Sequence, residues 1–244
     1  MDPRETQHVP LVTYTRLKRA LDVTLAVALT VLTAPLLILA VFAVKATSRG
    51  PAIYSQVRLG RGRRAFTMFK IRTMHHDCER LTGPKWSTEN DPRVTPVGRF
   101  LRRTHLDELP QLWNVVRGEM SLVGPRPERP EFVAQLERSL PDYGRRLEVF
   151  PGVTGLAQVN LPPDVDQESV RRKLVYDLYY VEQIGPWLDA RLMAATALFL
   201  AGVPFAVSSR LLGLSPCLAD DIPPGSSRPL AHMHDSVAAI EVAG

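Results

Sequence analysis

The longest apolar stretch of the chain lies near its N-terminus. Between Arg19 and Lys45 the one charged residue is Asp22, and the run Val23–Val44 contains 22 residues. As an α-helix such a run reaches roughly 33 Å, which is enough for a bilayer core of about 30 Å. It is too long for the apolar part of a signal peptide, and no small-residue cleavage pattern accompanies it. The pattern predicts a membrane helix, which with its flanks occupies residues 16–47.

Positive charge on both flanks of this run bears on how it enters the membrane. Lysines and arginines lie on either side: Arg16, Lys18 and Arg19 before it, and Lys45, Arg49, Arg58 and Arg61 after it. The positive-inside tendency favours the cytoplasmic side for both flanks, which a straight span does not allow. Pro35 lies near the middle, where a proline kinks a helix. We therefore predict a re-entrant helix-break-helix hairpin that bends at Pro35; a simple span with a tolerated proline is the alternative.

The remaining pattern predicts a small β-hairpin and then a largely helical domain. A turn at 48–51 leads to strands at 52–57 and 65–74. Helices are predicted at about 97–103, 108–117, 128–138, 166–183 and 188–204, with Gly118 ending the second. The apolar stretch Met193–Val207 is short for a span and is typical of a buried or interfacial helix. The predicted fold class is an α-rich α+β protein with a re-entrant membrane hairpin, a β-hairpin and interfacial helices.

These elements divide the chain into four parts. Residues 1–15 form a short polar leader, and residues 16–47 form the membrane element. Residues 48–210 form the cytosolic or interfacial domain. Residues 211–244 are rich in Pro, Ser, Gly and Ala, and they are expected to form a disordered tail.

The charge distribution indicates an anionic partner. The formal net charge is +5, but the stretch from Lys45 to Arg103 holds 14 Lys and Arg against 4 Asp and Glu. Phosphorylated substrates, anionic lipids and nucleic acids all fit such a block. A membrane-anchored nucleic-acid-binding regulator is disfavoured, because neither a recognition helix nor a basic patch with interleaved aromatic residues is visible.

The two cysteines, Cys78 and Cys217, lack the spacing of a disulfide framework or a zinc site.

The segment Thr104–Asn114 contains the first candidate site. Its simpler interpretation is structural: Asp107 caps a helix that begins there and ends near Gly118, and Glu108 interacts favourably with the helix dipole. The functional interpretation uses the same geometry, because a carboxylate at a helix start among arginines can attack and hold a phosphate.

Three basic groups are candidate phosphate ligands. Arg126 lies between Pro125 and Pro127, so a stiff loop presents its guanidinium, which pairs well with phosphate. Lys70 and Arg72 are two residues apart on a strand and are predicted to face the same way. Arg102 precedes the Asp-Glu pair. The simpler interpretations are a surface turn, a solubilising strand edge and a solvated helix face.

These motifs, taken together and in order, resemble the bacterial sugar transferases. The resemblance covers residues 16 to 205 and suggests the compact form of the polyprenyl-phosphate hexose-1-phosphate transferases, the monotopic phosphoglycosyl transferases. It depends on the segments Gly50-Pro51, Phe69–Met74, Leu106–Gln111, Val123–Pro127, Pro151–Gly155 and Tyr176–Tyr180. Ala34-Pro35 departs from the Ser-Pro frequent in the family, although the proline is retained.

The resemblance implies a two-step transfer of a hexose-1-phosphate. Asp107 would attack the sugar-bearing phosphate of a UDP-sugar, and polyprenyl phosphate would then accept the phosphosugar. Glu108 would bind Mg²⁺, and four basic residues would hold phosphates: Lys70, Arg72, Arg102 and Arg126.

The resemblance also implies a cellular setting. The active site would lie on the cytoplasmic face of the inner or plasma membrane, where the first membrane step of exopolysaccharide or other glycan assembly takes place. Membrane lipid, a second copy of the chain and downstream glycosyltransferases are the further partners that it suggests, and nucleic acid is not among them. A catalytically inactive membrane scaffold for polysaccharide assembly is the alternative. No motif distinguishes one hexose from another.

Overall fold

The structure is a computed structural model that describes residues 11–78, 83, 91–140, 142–162 and 166–214. The described part is helix-rich, with one long N-terminal helix and two small sheets. Its helices are α1 (Leu11–Thr47), α2 (Pro96–Arg103), α3 (Gln111–Arg117), α4 (Pro130–Ser139), α5 (Leu156–Asn160), α6 (Gln167–Gln183), α7 (Pro186–Leu200) and α8 (Phe205–Leu211). Its strands are β1 (Ile53–Leu59), β2 (Ala65–Ile71), β3 (Ser121–Val123) and β4 (Gly152–Thr154).

Helix α1 contains the predicted membrane element and begins at Leu11, before the predicted start at residue 16. It continues through Pro35 as one helix, so the segment is not divided into two helices by secondary structure. Tyr14–Thr47 is long and apolar enough to cross a membrane, and 11% of its most apolar window is buried by the rest of the protein. A core helix of a soluble domain would be mostly buried, so this surface calls for membrane association.

The two sheets differ in how well the sequence indicated them. β1 and β2 pair antiparallel from Ile53 opposite Ile71 to Leu59 opposite Ala65, which confirms the predicted hairpin. β3 and β4 are three residues each and pair in parallel. No sequence pattern indicated this second pair, because a three-residue strand is too short to show an alternating pattern.

The region between α2 and α3 differs from the prediction. One helix capped by Asp107 was predicted, whereas a 3₁₀ turn covers Leu106–Glu108 and α3 begins separately at Gln111. His105 precedes the turn in the left-handed conformation, with φ 55°. Asp107 caps no helix, so the capping interpretation is wrong. Gly118 ends α3 with φ 86°, as predicted, because glycine adopts positive φ without strain.

The predicted helix at 188–204 ends earlier in the structure, and a separate helix follows it. α7 ends at Leu200 and α8 begins at Phe205. Gly202, with φ 92°, and Pro204 lie between them, and both residues interrupt helices. Most of the predicted C-terminal tail lies outside the described residues.

The main core packs α3, α5, α6 and α7 around the parallel strand pair. Its fully buried members include Val115, Met120, Val123 and Leu192, and Ala26 of α1 belongs to the same cluster. A separate cluster joins the other end of α1, through Ala40 and Val44, to β2 and α2. Two separate stretches of α1, one at Ala26 and one at Ala40 and Val44, therefore pack on the domain that carries the predicted catalytic residues.

A buried polar network fastens the N-terminal part of α1. Asp189 of α7 accepts hydrogen bonds from Tyr14 at 2.5 Å, Lys18 at 2.6 Å and Tyr180 at 2.8 Å. Asp22, the one charge between Arg19 and Lys45, accepts a hydrogen bond from Ser121 of β3 at 2.7 Å. Buried charges are retained when they are paired and hydrogen-bonded in this way. The network fixes α1 against the strand that leads to Arg126.

Candidate active site

Glu108 is the centre of a charged cluster that the fold brings together from three elements. Its carboxylate accepts a hydrogen bond from Lys70 of β2 at 2.9 Å. It also accepts two from the guanidinium of Arg126, at 2.5 Å and 3.2 Å. Arg126 lies in the loop after β3 and is separated from Glu108 by 18 positions in the sequence, and Lys70 is separated from Glu108 by 38 positions. The predicted proximity of these three residues is therefore a feature of the structure.

The two carboxylates of the pair have different electrostatic environments. Burial by itself raises the pKa of Glu108, but Arg126 and Lys70 outweigh it and hold this pKa well below its usual range. Burial, and then the negative charge of Glu108, raise the pKa of Asp107, against the opposing effects of Lys70 and Arg126. Glu108 is thus a fixed anion, whereas Asp107 is a more basic carboxylate.

Asp107 also differs from Glu108 in its contacts. It is buried, with 7% of its surface exposed. Among the described residues, none donates a hydrogen bond to its carboxylate. A carboxylate that is ionised near neutral pH and is not engaged by a partner can act as a nucleophile. The structure therefore separates the two acids: Lys70 and Arg126 hold Glu108, whereas Asp107 has no hydrogen-bond donor among the described residues.

The neighbouring elements hold the cluster in place. Asn114 of α3 is fully buried, and its amide bonds the backbone of β2 at Thr67 and Phe69. Behind Arg126, buried Arg146 donates to the Arg126 carbonyl at 2.9 Å and pairs with Asp177 at 2.6 Å. Asn114 ends the candidate segment Thr104–Asn114, and Asp177 lies in the segment Tyr176–Tyr180 of the resemblance. Sequence reasoning assigned them no role, and it missed Arg146 altogether.

The remaining predicted ligands lie at different distances from this cluster. The Nε of Arg102 donates to Thr73 at 2.8 Å, and its charge acts on Asp107, so it belongs to the surroundings of the pair. Arg72 instead bonds the carbonyl oxygens of Ser48 and Arg49 just beyond α1. Lys70 and Arg72 therefore do not share a hydrogen-bonding partner. A phosphate-binding role for Arg72 stays a prediction.

The site is thus a carboxylate pair surrounded by cations, in a domain that packs on an apolar helix long enough to cross a membrane. Comparison with known proteins gives the family. The profile of the bacterial sugar transferases matches residues 13–202, and the chain belongs to that family.

Characterised relatives are similar over about three quarters of the chain. It is 44% identical over 184 residues to an undecaprenyl-phosphate glucose phosphotransferase of Komagataeibacter xylinus, which covers 73% of this chain and 35% of the relative. It is 38% identical over 188 residues to a UDP-N-acetylgalactosamine-undecaprenyl-phosphate N-acetylgalactosaminephosphotransferase of Aeromonas hydrophila, over 77% of this chain and 44% of the relative. The exopolysaccharide production protein PSS of Rhizobium leguminosarum bv. phaseoli is 37% identical over 185 residues, 74% of this chain and 92% of its own. The chain spans less than half the length of the first two relatives.

Proposed function

We propose that this protein transfers a hexose-1-phosphate from a UDP-sugar to a polyprenyl phosphate such as undecaprenyl phosphate. The observation that carries the proposal is the Asp107–Glu108 pair, in which Lys70 and Arg126 hold one acid while the other has no hydrogen-bonding partner among the described residues. The names of the relatives support the substrate class, since they include UDP-sugars and undecaprenyl phosphate.

In the first step, a carboxylate oxygen of Asp107 attacks the sugar-bearing phosphorus. The bond from that phosphorus to the bridging oxygen breaks, and UMP leaves. In the second step, a phosphate oxygen of the polyprenyl phosphate attacks the same phosphorus, which releases the Asp107 carboxylate and forms a polyprenyl-diphosphate-sugar. Lys70 and Arg126 lie where they can stabilise the negative charge of the transferred phosphate.

The acids of this site fit a magnesium ion that is shared with the substrate. Mg²⁺ is usually bound by one or two carboxylates together with substrate phosphates. The hydrogen bonds from Lys70 and Arg126 use three of the roughly four lone-pair sites of Glu108, so one remains on Oε2. Glu108 would hold the ion next to Asp107, and when bound it would offset the charge of the diphosphate.

The packing of α1 supports a re-entrant topology for the membrane helix. Lys18 and Val44, near its two ends, both contact the same domain, whereas Val31 and Leu32 between them are 71% and 74% exposed. A straight crossing would place about 30 Å of hydrocarbon between those two sets of contacts. Pro35 offers no N–H to the carbonyl of Val31, which favours a bend at this point.

Threonine side chains add to this tendency. Thr30 and Thr33 donate hydrogen bonds to the carbonyl groups of Ala26 and Leu29, one turn earlier in the helix, at 2.7 Å each. Such bonds often bend helices. We therefore infer that α1 enters and leaves on the cytoplasmic face, which would put the acids at headgroup depth.

The exposed apolar side chains outside α1 fit the same interfacial arrangement. Large apolar residues are exposed on α2, α3, α7 and α8, namely Phe100, Trp113, Trp187, Leu200, Val207 and Leu211. Tryptophan is enriched where membranes meet water. Homodimer formation and association with downstream glycosyltransferases stay predictions.

The topology can be tested with single cysteines in a chain whose Cys78 and Cys217 are replaced. Arg16→Cys and Ala46→Cys, on the two flanks of the apolar run, are expected to react with an impermeant maleimide from the cytoplasmic side in oriented vesicles. Leu32→Cys, within the apolar run, is the matched control and is expected to stay unlabelled. Labelling of Arg16→Cys and Ala46→Cys from opposite sides would contradict the re-entrant helix.

The activity is tested by UMP release from the protein purified in nanodiscs, supplied with Mg²⁺ and a panel of UDP-sugars. We expect turnover with one or a few donors that depends on undecaprenyl phosphate, and at most about one equivalent of UMP without the acceptor, as covalent catalysis requires. Lack of release across the panel by a folded, membrane-inserted sample would favour the inactive scaffold.

A further inference from the structure

A partly enclosed cavity of about 30 Å³ lies next to Arg126. Arg126 therefore belongs both to the cluster at Glu108 and to the wall of this cavity. Space of this size holds about two water-sized groups and is far too small for a nucleobase or a whole sugar ring. Its other polar lining residues are Glu128, Arg146, Gln158, Lys173 and Asp177.

Two of the residues that line the cavity have a buried polar atom without a partner. The side-chain oxygen of Gln158 and the Nε of Arg146 accept or donate no hydrogen bond within the described part of the chain. Buried polar atoms are nearly always paired, so each such atom calls for an explanation. Here one is an acceptor and the other a donor, and both belong to residues that line the same small space.

The other bonds of these two side chains fix their orientation. Gln158 donates from its amide nitrogen to the carbonyl of Val153 at 2.9 Å, which leaves the oxygen as the unpaired atom. Arg146 uses its two terminal nitrogens on Tyr143, at 2.6 Å, and on the Arg126 carbonyl, at 2.9 Å. The donor and the acceptor are thus held before any ligand arrives, as a preorganised subsite requires.

Five charged residues line the cavity, and four of them, Arg126, Glu128, Arg146 and Asp177, are in ion pairs, which favours a neutral ligand group at these four. Arg146 is paired with Asp177 at 2.6 Å, and Glu128 is paired with Arg58 at 2.6 Å. A phosphate would therefore meet groups whose charge is already neutralised by a partner, Asp177 for Arg146 and Arg58 for Glu128. A hydroxyl group has the matching chemistry, because it can both donate to an acceptor such as the Gln158 oxygen and accept from a donor such as the Arg146 Nε.

We propose that this cavity receives one hydroxyl group of the hexose in the donor substrate, and that Gln158 and Arg146 select the sugar through it. The assignment rests on the proposed function, because the transferred phosphate must lie at Arg126 for the sugar to reach the cavity. A site built to hydrogen-bond a hydroxyl strongly rejects an analogue that lacks it, because the buried partners are then left unpaired.

The test compares the donor found in the UDP-sugar panel with its analogues that lack one sugar hydroxyl each, and with its 2′-deoxyuridine form. In the unchanged protein, we expect one sugar analogue to lose at least about tenfold in kcat/KM for UMP release. Gln158→Met has a similar shape without the acceptor, and it is expected to lower kcat/KM for the parent donor by about the same factor. In Gln158→Met, the ratio of kcat/KM for the parent donor to kcat/KM for that analogue should be close to one. The corresponding ratios for the other analogues should stay unchanged.

Two further variants make the result specific. Gln167→Met makes the same replacement at an exposed position of α6 and is expected to keep every ratio. Gln158→Glu keeps an acceptor oxygen and is expected to retain the selectivity, which protects the test against a folding defect in Gln158→Met.

Three outcomes would overturn the inference. If Gln158→Met lowers kcat/KM by the same factor for all donors, the cavity holds only a structural water. If Gln158→Met instead abolishes the preference for the parent donor over its 2′-deoxyuridine form, the cavity binds ribose rather than the hexose. An unchanged protein that releases no UMP from any donor contradicts the proposed function itself, and the inference with it.

Discussion

Replacing Asp107 with asparagine is expected to abolish UMP release and to leave the protein folded. Asparagine has nearly the same shape but is not a nucleophile, so kcat/KM should fall by at least about 10³-fold. Lys70, Glu108 and Arg126 keep their mutual hydrogen bonds in this variant, because none of these bonds involves Asp107. Release of UMP measured at saturating Mg²⁺ tests the first step separately from the second.

The stability of this variant is part of the same expectation. Because burial and Glu108 raise the pKa of Asp107, the folded state binds its proton more tightly than the unfolded chain does. The contribution of Asp107 to the free energy of unfolding is therefore greatest at low pH, and it declines as pH rises through the pKa of Asp107 in the folded state. At neutral pH the asparagine variant should unfold at the same temperature as the wild type or higher.

Controls separate a nucleophile from a residue that only shapes the site. Asp142→Asn makes the same replacement at an exposed position with φ 65°, which asparagine tolerates, and it should remain active. After incubation with donor and rapid denaturation, the wild type should carry the added mass of a hexose phosphate, and Asp107→Asn should not. Activity of Asp107→Asn within about tenfold of the wild type would rule out the covalent mechanism.

Replacing Glu108 with glutamine is expected to reduce both activity and stability. The change leaves Lys70 and Arg126 without their shared anion, with 17% and 38% of their side chains exposed. Removing one partner of a buried ion pair costs about 3–5 kcal/mol, and we expect about 3 kcal/mol here because Arg126 is partly solvated. UMP release should fall by at least about 10²-fold, because two phosphate-binding groups lose their orientation.

The pH dependence of this loss has a definite sign. Arg126 and Lys70 hold the pKa of Glu108 well below its unfolded value, despite its burial. The stability that Glu108 contributes is therefore fully present above the unfolded pKa of about 4.3 and is lost as pH falls through the folded pKa. The unfolding temperatures of the wild type and of Glu108→Gln should be measured in the same detergent. The difference between them should be constant near neutral pH and should become smaller below about pH 4.

Glu131→Gln is the matched control for this experiment. Glu131 is 61% exposed and lies 3.9 Å from Arg129, so the same chemical change should alter stability by less than about 0.5 kcal/mol. If Glu108→Gln unfolds like the wild type and shows an unchanged Mg²⁺ requirement, Glu108 neither organises the cations nor binds the metal.

The sequence was most informative where a property is local. The apolar run Val23–Val44, the turn at Gly50-Pro51 and the hairpin around Gly60–Arg63 each depend on neighbouring residues, and each is in the structure. The motifs that contain Asp107, Glu108 and Arg126 were visible too, and their resemblance to the bacterial sugar transferases agrees with the match of that family's profile over residues 13–202.

The errors lie where local preference competes with tertiary contacts. A helix capped by Asp107 was compatible with propensity and with Pro110, yet the chain forms a separate 3₁₀ turn there. Strand periodicity predicted that Lys70 and Arg72 face the same way, and it could not indicate that they bind different groups, Glu108 for Lys70 and the carbonyls of Ser48 and Arg49 for Arg72. The environment of Asp107 depended on where a helix begins, which is the least predictable part of a helix.

By itself, the sequence indicated the apolar N-terminal helix, the hairpin, the family and the central residues of the candidate site, Asp107, Glu108, Lys70 and Arg126. Only the tertiary structure decided that Lys70 and Arg126 both bind Glu108, and that Asp189 fastens α1 through Tyr14 at 175 positions away. It also decided that two three-residue strands pair in parallel. These features are contacts between distant segments, and their free energy comes from burial and charge pairing that exist only after the chain has folded.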